Sequence, residues 1–155
     1  MNNLDSIKTF KDQSTWRLVG LAVLSLGVYF AHYIKRQTAK INVLVGEDDA
    51  VSQDFVNSLM AISYIALILY IANIASQFLY PTHIASNIAD LIWSITIITW
   101  GFMARNRLNT AYEISKENKE WFHGFWIFSF SMMYFNYKIN SICKKSLEQP
   151  ISAGS

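Results

Sequence analysis

Apolar positions gather into four blocks, residues 18–34, 59–79, 84–103 and 121–137, parted by polar linkers over 35–58 and 104–120. The middle two blocks have about the 20 residues needed to cross a hydrocarbon core of roughly 30 Å. Only Tyr80-Pro81-Thr82-His83 separates them. The proline is expected to end the first helix and force a turn, making a transmembrane helical hairpin. The outer blocks are shorter, about 25 Å each as one straight helix. Apolar residues surround their helical wheels, so neither suits a helix lying flat on the surface. The first has a natural break at Leu24-Ser25-Leu26-Gly27-Val28-Tyr29, where Gly27 can cap a half-helix in the left-handed conformation. Block 18–34 is therefore expected to dip and return rather than cross. The last block has no central glycine, and Ser129 and Ser131 are its only weak points. Its many aromatic residues, among them Trp121, Trp126, Tyr134 and Tyr137, favour a shallow path at headgroup level, with a fourth ordinary span as the alternative. The pattern predicts one all-α membrane domain over 1–155, a central hairpin flanked by two short segments in a four-helix arrangement.

Composition agrees with this class. Apolar residues make up 52 % of the chain. Charged residues are only 15 %, against about 25 % in soluble proteins. The turn at 80–83 has no Lys or Arg, whereas the hairpin's other ends are flanked by Lys35, Arg36, Lys40, Arg105, Arg107, Lys116 and Lys119. Those ends are expected in the cytoplasm, with the turn outside. If both outer blocks crossed, the 13 Lys and Arg would divide almost evenly between the two faces; if both dip, all lie on the cytoplasmic side. A net charge of +2 gives no reason to expect nucleic acid. The single Cys143 excludes an intrachain disulfide. No cleavable signal peptide is expected, because Asp5 and Asp12 sit in the leading segment and no small-x-small site follows the first block.

Several short motifs carry a family resemblance: Trp16 before the first block, Ser25-Leu26-Gly27-Val28-Tyr29 at its centre, Lys35-Arg36 at its exit, and Tyr137-Lys138-Ile139-Asn140 near the end. Across about 14–142 the chain resembles the bacterial membrane proteins grouped as domain-of-unknown-function family 4234. It departs at His32-Tyr33, where relatives carry Tyr-Trp. The resemblance implies a multi-pass protein of the bacterial inner membrane and supplies no activity or catalytic residues.

Asp90 is the one acid within a predicted span, and intramembrane carboxylates usually face protein or water. His83, Asn87, Ser94, Gly101 and Arg105 share its helical face. Folding the hairpin about its turn sets Asn73 level with Asp90 and Ser76 level with Asn87, with Gln77 nearer the outside. Asn73, Gln77, Asn87 and Asp90 are thus a candidate polar cluster, either a hydrogen-bonded knit or a cation or proton site. Lys35, Arg36, Arg105 and Arg107 are candidate contacts to lipid headgroups. Residues 104–120 read as a helical extension in which Lys116 and Glu120 can pair. Gly46-Glu47-Asp48-Asp49-Ala50 lacks the ligand spacing of a calcium loop and reads as a solvated turn. The three histidines are too dispersed for a zinc motif, and no phosphate loop or hydrolase motif occurs. No metal, cofactor or enzymatic activity is expected. Gly20, Ala22 and Gly27 offer a small-residue surface for homo-oligomerisation. The expected role is a non-enzymatic oligomeric scaffold or accessory protein among membrane lipids, with an unidentified membrane partner left open. The alternative is an oligomeric channel or transporter for a cation or small solute, built on the stripe around Asp90.

Overall fold

The computed structural model describes residues 3–76 and 80–148. Every regular element among them is helical: a 3-10 helix (Asn3–Phe10), then α1 (Thr15–Leu24), α2 (Val28–Val45), α3 (Gln53–Ala75), α4 (Tyr80–Ala111) and α5 (Gly124–Glu148). The expected four segments are thus five α-helices, because the first block divides.

The division falls at Leu26 (φ 50°) and Gly27 (φ 91°). Ser25 caps both sides of it. Its hydroxyl donates to the Ala22 carbonyl (3.3 Å) at the end of α1 and accepts from the Tyr29 amide (2.9 Å) at the start of α2. Ser25 thus gives the Tyr29 amide an acceptor, while backbone bonds carry the break itself, from the Gly27 amide to the Ala22 carbonyl (2.7 Å) and from the Val28 amide to the Ser25 carbonyl (3.2 Å). The chain then reverses. Tyr29 on α2 donates to Gln13 Oε1 (2.9 Å), just ahead of α1, and Arg36 reaches back to Asp12 (2.8 Å).

The α5 segment reverses as well. Ser131 has φ 39° and ψ −113°, and it divides the helix into limbs 124–130 and 132–148. The limbs fold against each other: Trp126 stacks on Tyr134 (6.5 Å), Phe122 meets Phe135 (5.8 Å), and Lys145 Nζ bonds Glu120 Oε1 (2.6 Å). In one straight helix these three pairs would be separated by about 12, 20 and 38 Å along the axis.

Two boundary expectations are corrected. Tyr80–His83 is not the turn but the first turn of α4, and α3 already ends at Ala75. First-turn amides have no intrahelical acceptor, so Pro81 loses no bond there and its fixed φ suits the helix. The linker 104–120 is helical only to Ala111; Glu113 then takes a positive φ (51°) and the chain is irregular to His123. Lys116 and Glu120 are therefore not a helical pair, and Glu120 pairs with Lys145 instead. Asn109 causes the return, since its side chain both donates to the Phe122 carbonyl (3.3 Å) and accepts from the Phe122 amide (3.1 Å). Asn42 holds Val51 in the same way in the loop between α2 and α3 (2.8 and 2.9 Å). That loop carries the solvated acidic turn, with Glu47, Asp48 and Asp49 exposed.

The core surrounds the second half of α4. Trp100 is fully buried, donates to Thr38 Oγ1 (2.8 Å) and packs edge-on against Phe135 (5.2 Å). Leu18, Ile34, Leu59, Leu108 and Ile139 complete it. The hairpin's turn half is bare by contrast, with Ile65, Ile68, Ile71 and Ile74 on α3 and Ile88, Leu91, Ile92 and Ile95 on α4 exposed. Residues Gln53–Ala75 and Pro81–Ala111 are long and apolar enough to cross a membrane, and only 22 % of each apolar window is buried. The core helix of a water-soluble protein would be mostly covered.

Candidate functional site

The tip of the first reversal rests on the hairpin at mid-length. A Cβ added to Gly27 would lie 3.7 Å from Trp93 Nε1, and Trp93 stands about 20 Å along α4 from Tyr80. Beside the tip is a crevice of about 220 Å³, lined by Leu26, Gly27, Ser63, Ala66, Tyr70, Asp90 and Trp93. Asp90 thus borders a mostly apolar crevice against the left-handed break. No described side chain bonds its carboxylate.

No hydrogen bond joins Asn73, Asn87 and Asp90, the three described residues of the expected polar cluster. Asn73 is buried, and its Oδ1 accepts from Thr82 Oγ1 at 3.5 Å, while Thr82 and Ser76 share a 2.8 Å hydroxyl bond. Asn87 and Asp90 are exposed on α4. Asn87 Nδ2 meets His83 Nδ1 (3.1 Å) one turn away, and Ser94 Oγ donates to the backbone carbonyl of Asp90. Gln77 lies outside the described residues.

Three of the four basic candidates for headgroup contact are engaged within the chain. Arg36 bonds Asp12 and Tyr29 and lies over the Tyr29 ring at 5.4 Å. Arg105 donates to the Phe122 carbonyl (2.6 Å) and lies over Trp121 at 5.3 Å. Arg107 holds the carbonyl of Asp49. Lys35 is exposed. The small-residue trio also separates: Gly20 has open space before it, Ala22 is buried, and Gly27 faces Trp93.

A buried polar node that no sequence motif announces lies where the amino-terminal segment, α2 and the returning limb of α5 meet. Tyr33 donates to Asn136 Oδ1 (3.1 Å), and Asn136 Nδ2 donates to the Gln13 carbonyl and to Thr15 Oγ1 (both 3.1 Å). Asn140 donates to the same Gln13 carbonyl (3.0 Å), and Gln37 to that of Phe10 (3.1 Å). This node ties the entrance of the first reversal to the exit of the second. Asn136 within an apolar block and the repeated triplet Lys-Ile-Asn at 40–42 and 138–140 were the available signals.

Among the described residues no three His, Cys, Asp or Glu side chains converge as a metal site. No protein-family model, curated protein or solved structure matches the chain.

Proposed function

We propose that this chain is a multi-pass membrane protein whose role is structural: a homo-oligomeric scaffold or accessory component rather than an enzyme. In this reading α3 and α4 cross the bilayer, and the two broken segments enter and leave on the face that carries the Lys and Arg residues. Between Phe55 and Ala104 the only charged side chain is Asp90, which supports crossing there. The positive-inside rule makes the basic face cytoplasmic. The resemblance to family 4234 supports the bacterial inner membrane.

One observation carries the oligomer. Asp90 and Asn87 are exposed on a helix whose surrounding surface is isoleucine and leucine. A carboxylate facing acyl chains is costly, so such groups usually face protein or water. A second copy of this chain supplies that cover most simply. The test is native mass spectrometry in mild detergent together with Asp90→Leu. Wild type is expected as one defined oligomer, with the leucine variant shifted in copy number; a wild-type monomer in both detergent and nanodisc would contradict the reading.

The crevice favours a second reading, an oligomeric channel or transporter. Asp90 lines it together with Ser63 and Tyr70, a carboxylate and two hydroxyls of the kind that suit a cation. Cation flux in vesicles that disappears in a folded Asp90→Asn variant would put this reading first.

A further inference from the structure

We propose that the fold is a membrane wedge, which prefers and promotes bilayer that is convex on the face bearing its basic residues. The inference rests on the reading above, in which two helices cross and two segments return.

The wedge follows from where the reversals stop. The first tip meets α4 at Trp93, and the second meets it at Ile97, whose carbonyl accepts from Ser131 Oγ (3.1 Å). These contacts stand about 20 and 26 Å from Tyr80 along α4. Among the described residues, only α3 and α4 lie beyond them toward the turn. On the other side of the tips run α1, α2, α3, α4 and both limbs of α5. Helices with side chains are each about 10–12 Å across, so six limbs occupy roughly three times the area of two.

The occupant of the surrounding surface is acyl chain. Trp16, Leu24 and Leu26 are exposed on the first reversal, and Phe125 and Phe128 on the second. Their outward faces match those of the bare hairpin, so one apolar belt runs round the wide half as well as the narrow one. The wide end also holds all the Lys and Arg residues, which draw anionic headgroups. A flat bilayer offers equal area to its two leaflets. Inserting much more volume into one leaflet is relieved by bending away from it, as with one-sided insertion of amphipathic helices.

The test is sorting of the full-length chain between a giant vesicle and a thin tube drawn from it. The vesicle is phosphatidylcholine with a minority of phosphatidylglycerol, and the chain carries a fluorophore at Asp48→Cys in the solvated loop. An impermeant quencher separates the two orientations. Molecules with the label outside should be enriched in the tube on the order of twofold or more, and those with it inside depleted. Equal density in tube and vesicle for both orientations overturns the wedge. Thiol labelling of Lys11→Cys and Thr82→Cys in the same lipid identifies which claim failed. Opposite faces with even sorting refute the wedge alone; one shared face refutes the re-entrant reading and the wedge with it.

Discussion

The two reversals perform one task by different means. In each, a residue of positive φ makes the tip, Leu26 with Gly27 in one and Ser131 in the other. In each, a tyrosine three residues past that point returns to the base of the entering limb. Tyr29 donates to Gln13 Oε1, and Tyr134 accepts from the His123 amide (3.4 Å). In each, an arginine lies over an aromatic ring at the base, Arg36 over Tyr29 and Arg105 over Trp121. The tips differ in where the strain is absorbed. Gly27 lacks the Cβ that makes the left-handed region unfavourable, so of the first tip's two positive-φ residues only Leu26 carries that cost. Ser131 has a Cβ and tolerates φ 39° only in its setting, with its hydroxyl on the Ile97 carbonyl and Gly101 making room beneath it. One reversal is written into its own segment; the other is imposed by the helix it touches.

That contrast can be broken at Gly101, where the largest effect is expected. A Cβ there would lie 2.9 Å from Ile127 Cγ2 and 3.0 Å from Ser131 Oγ. A β-branched side chain cannot swing clear, so Gly101→Ala should cost on the order of 2–3 kcal/mol through overpacking. The second tip should loosen while the first stays intact. Cys143 supplies the readout, since it is the single cysteine, is 1 % exposed and has a thiol that burial pushes above its ordinary pKa. Its reaction with a thiol dye during thermal unfolding in detergent reports opening of the returning limb.

Gly27→Ala should cost less, about 1–2 kcal/mol, because it adds only left-handed strain. The new Cβ would sit at ordinary contact distance from Trp93. Unchanged stability would mean that the first tip does not depend on glycine. At Ser131 two substitutions separate bond from strain. Ser131→Ala loses the hydroxyl bond to Ile97, worth about 1 kcal/mol in a membrane setting. Ser131→Gly loses the same bond but relieves the positive φ, so it should melt above Ser131→Ala; the reverse order would show that the backbone there is unstrained.

The smallest difference concerns pH at the two bases. Arg36 keeps its charge throughout, but burial and then Lys145 lower the pKa of Lys138, against the pull of Glu120. A lysine lowered in the folded state binds more protons when unfolded, over the window between its folded and unfolded pKa values. Stability from this group therefore rises as pH climbs from that lowered value toward the ordinary 10.5. The rise should be present in melting profiles of wild type and absent in Lys138→Met.

Much of the architecture was legible in the sequence for a stated physical reason, and so were the gaps. The long apolar blocks marked α3 and α4, and Gly27 marked its own break. Hydropathy could not mark where the helices end, because a helix leaving an apolar belt keeps the same backbone bonds; α2 and α4 therefore run on to Val45 and Ala111. Pro81 was misread because proline blocks a helix interior but suits a first turn. The break at Ser131 was only one of two weak points, since its deciding partner, Gly101, lies on another helix. The expected cluster around Asp90 assumed that polar residues on facing helices turn toward one another. Instead Asn73 is buried beside Thr82, Asn87 is exposed and bonds His83, and Asp90 borders the crevice by the first tip. The node of Gln13, Tyr33, Gln37, Asn136 and Asn140 was dispersed among segments whose adjacency only the two reversals create.

In the proposed topology both broken segments return to the face they entered from. Single cysteines at Lys11, Ala39, Thr82, Lys116 and Lys144, introduced one at a time over Cys143→Ala, test it with an impermeant thiol reagent on sealed, oriented membrane vesicles. Lys11, Ala39, Lys116 and Lys144 should react from one face and Thr82 alone from the other. Lys11 or Lys144 reacting together with Thr82 would mean that the corresponding segment crosses the bilayer, and would overturn that topology.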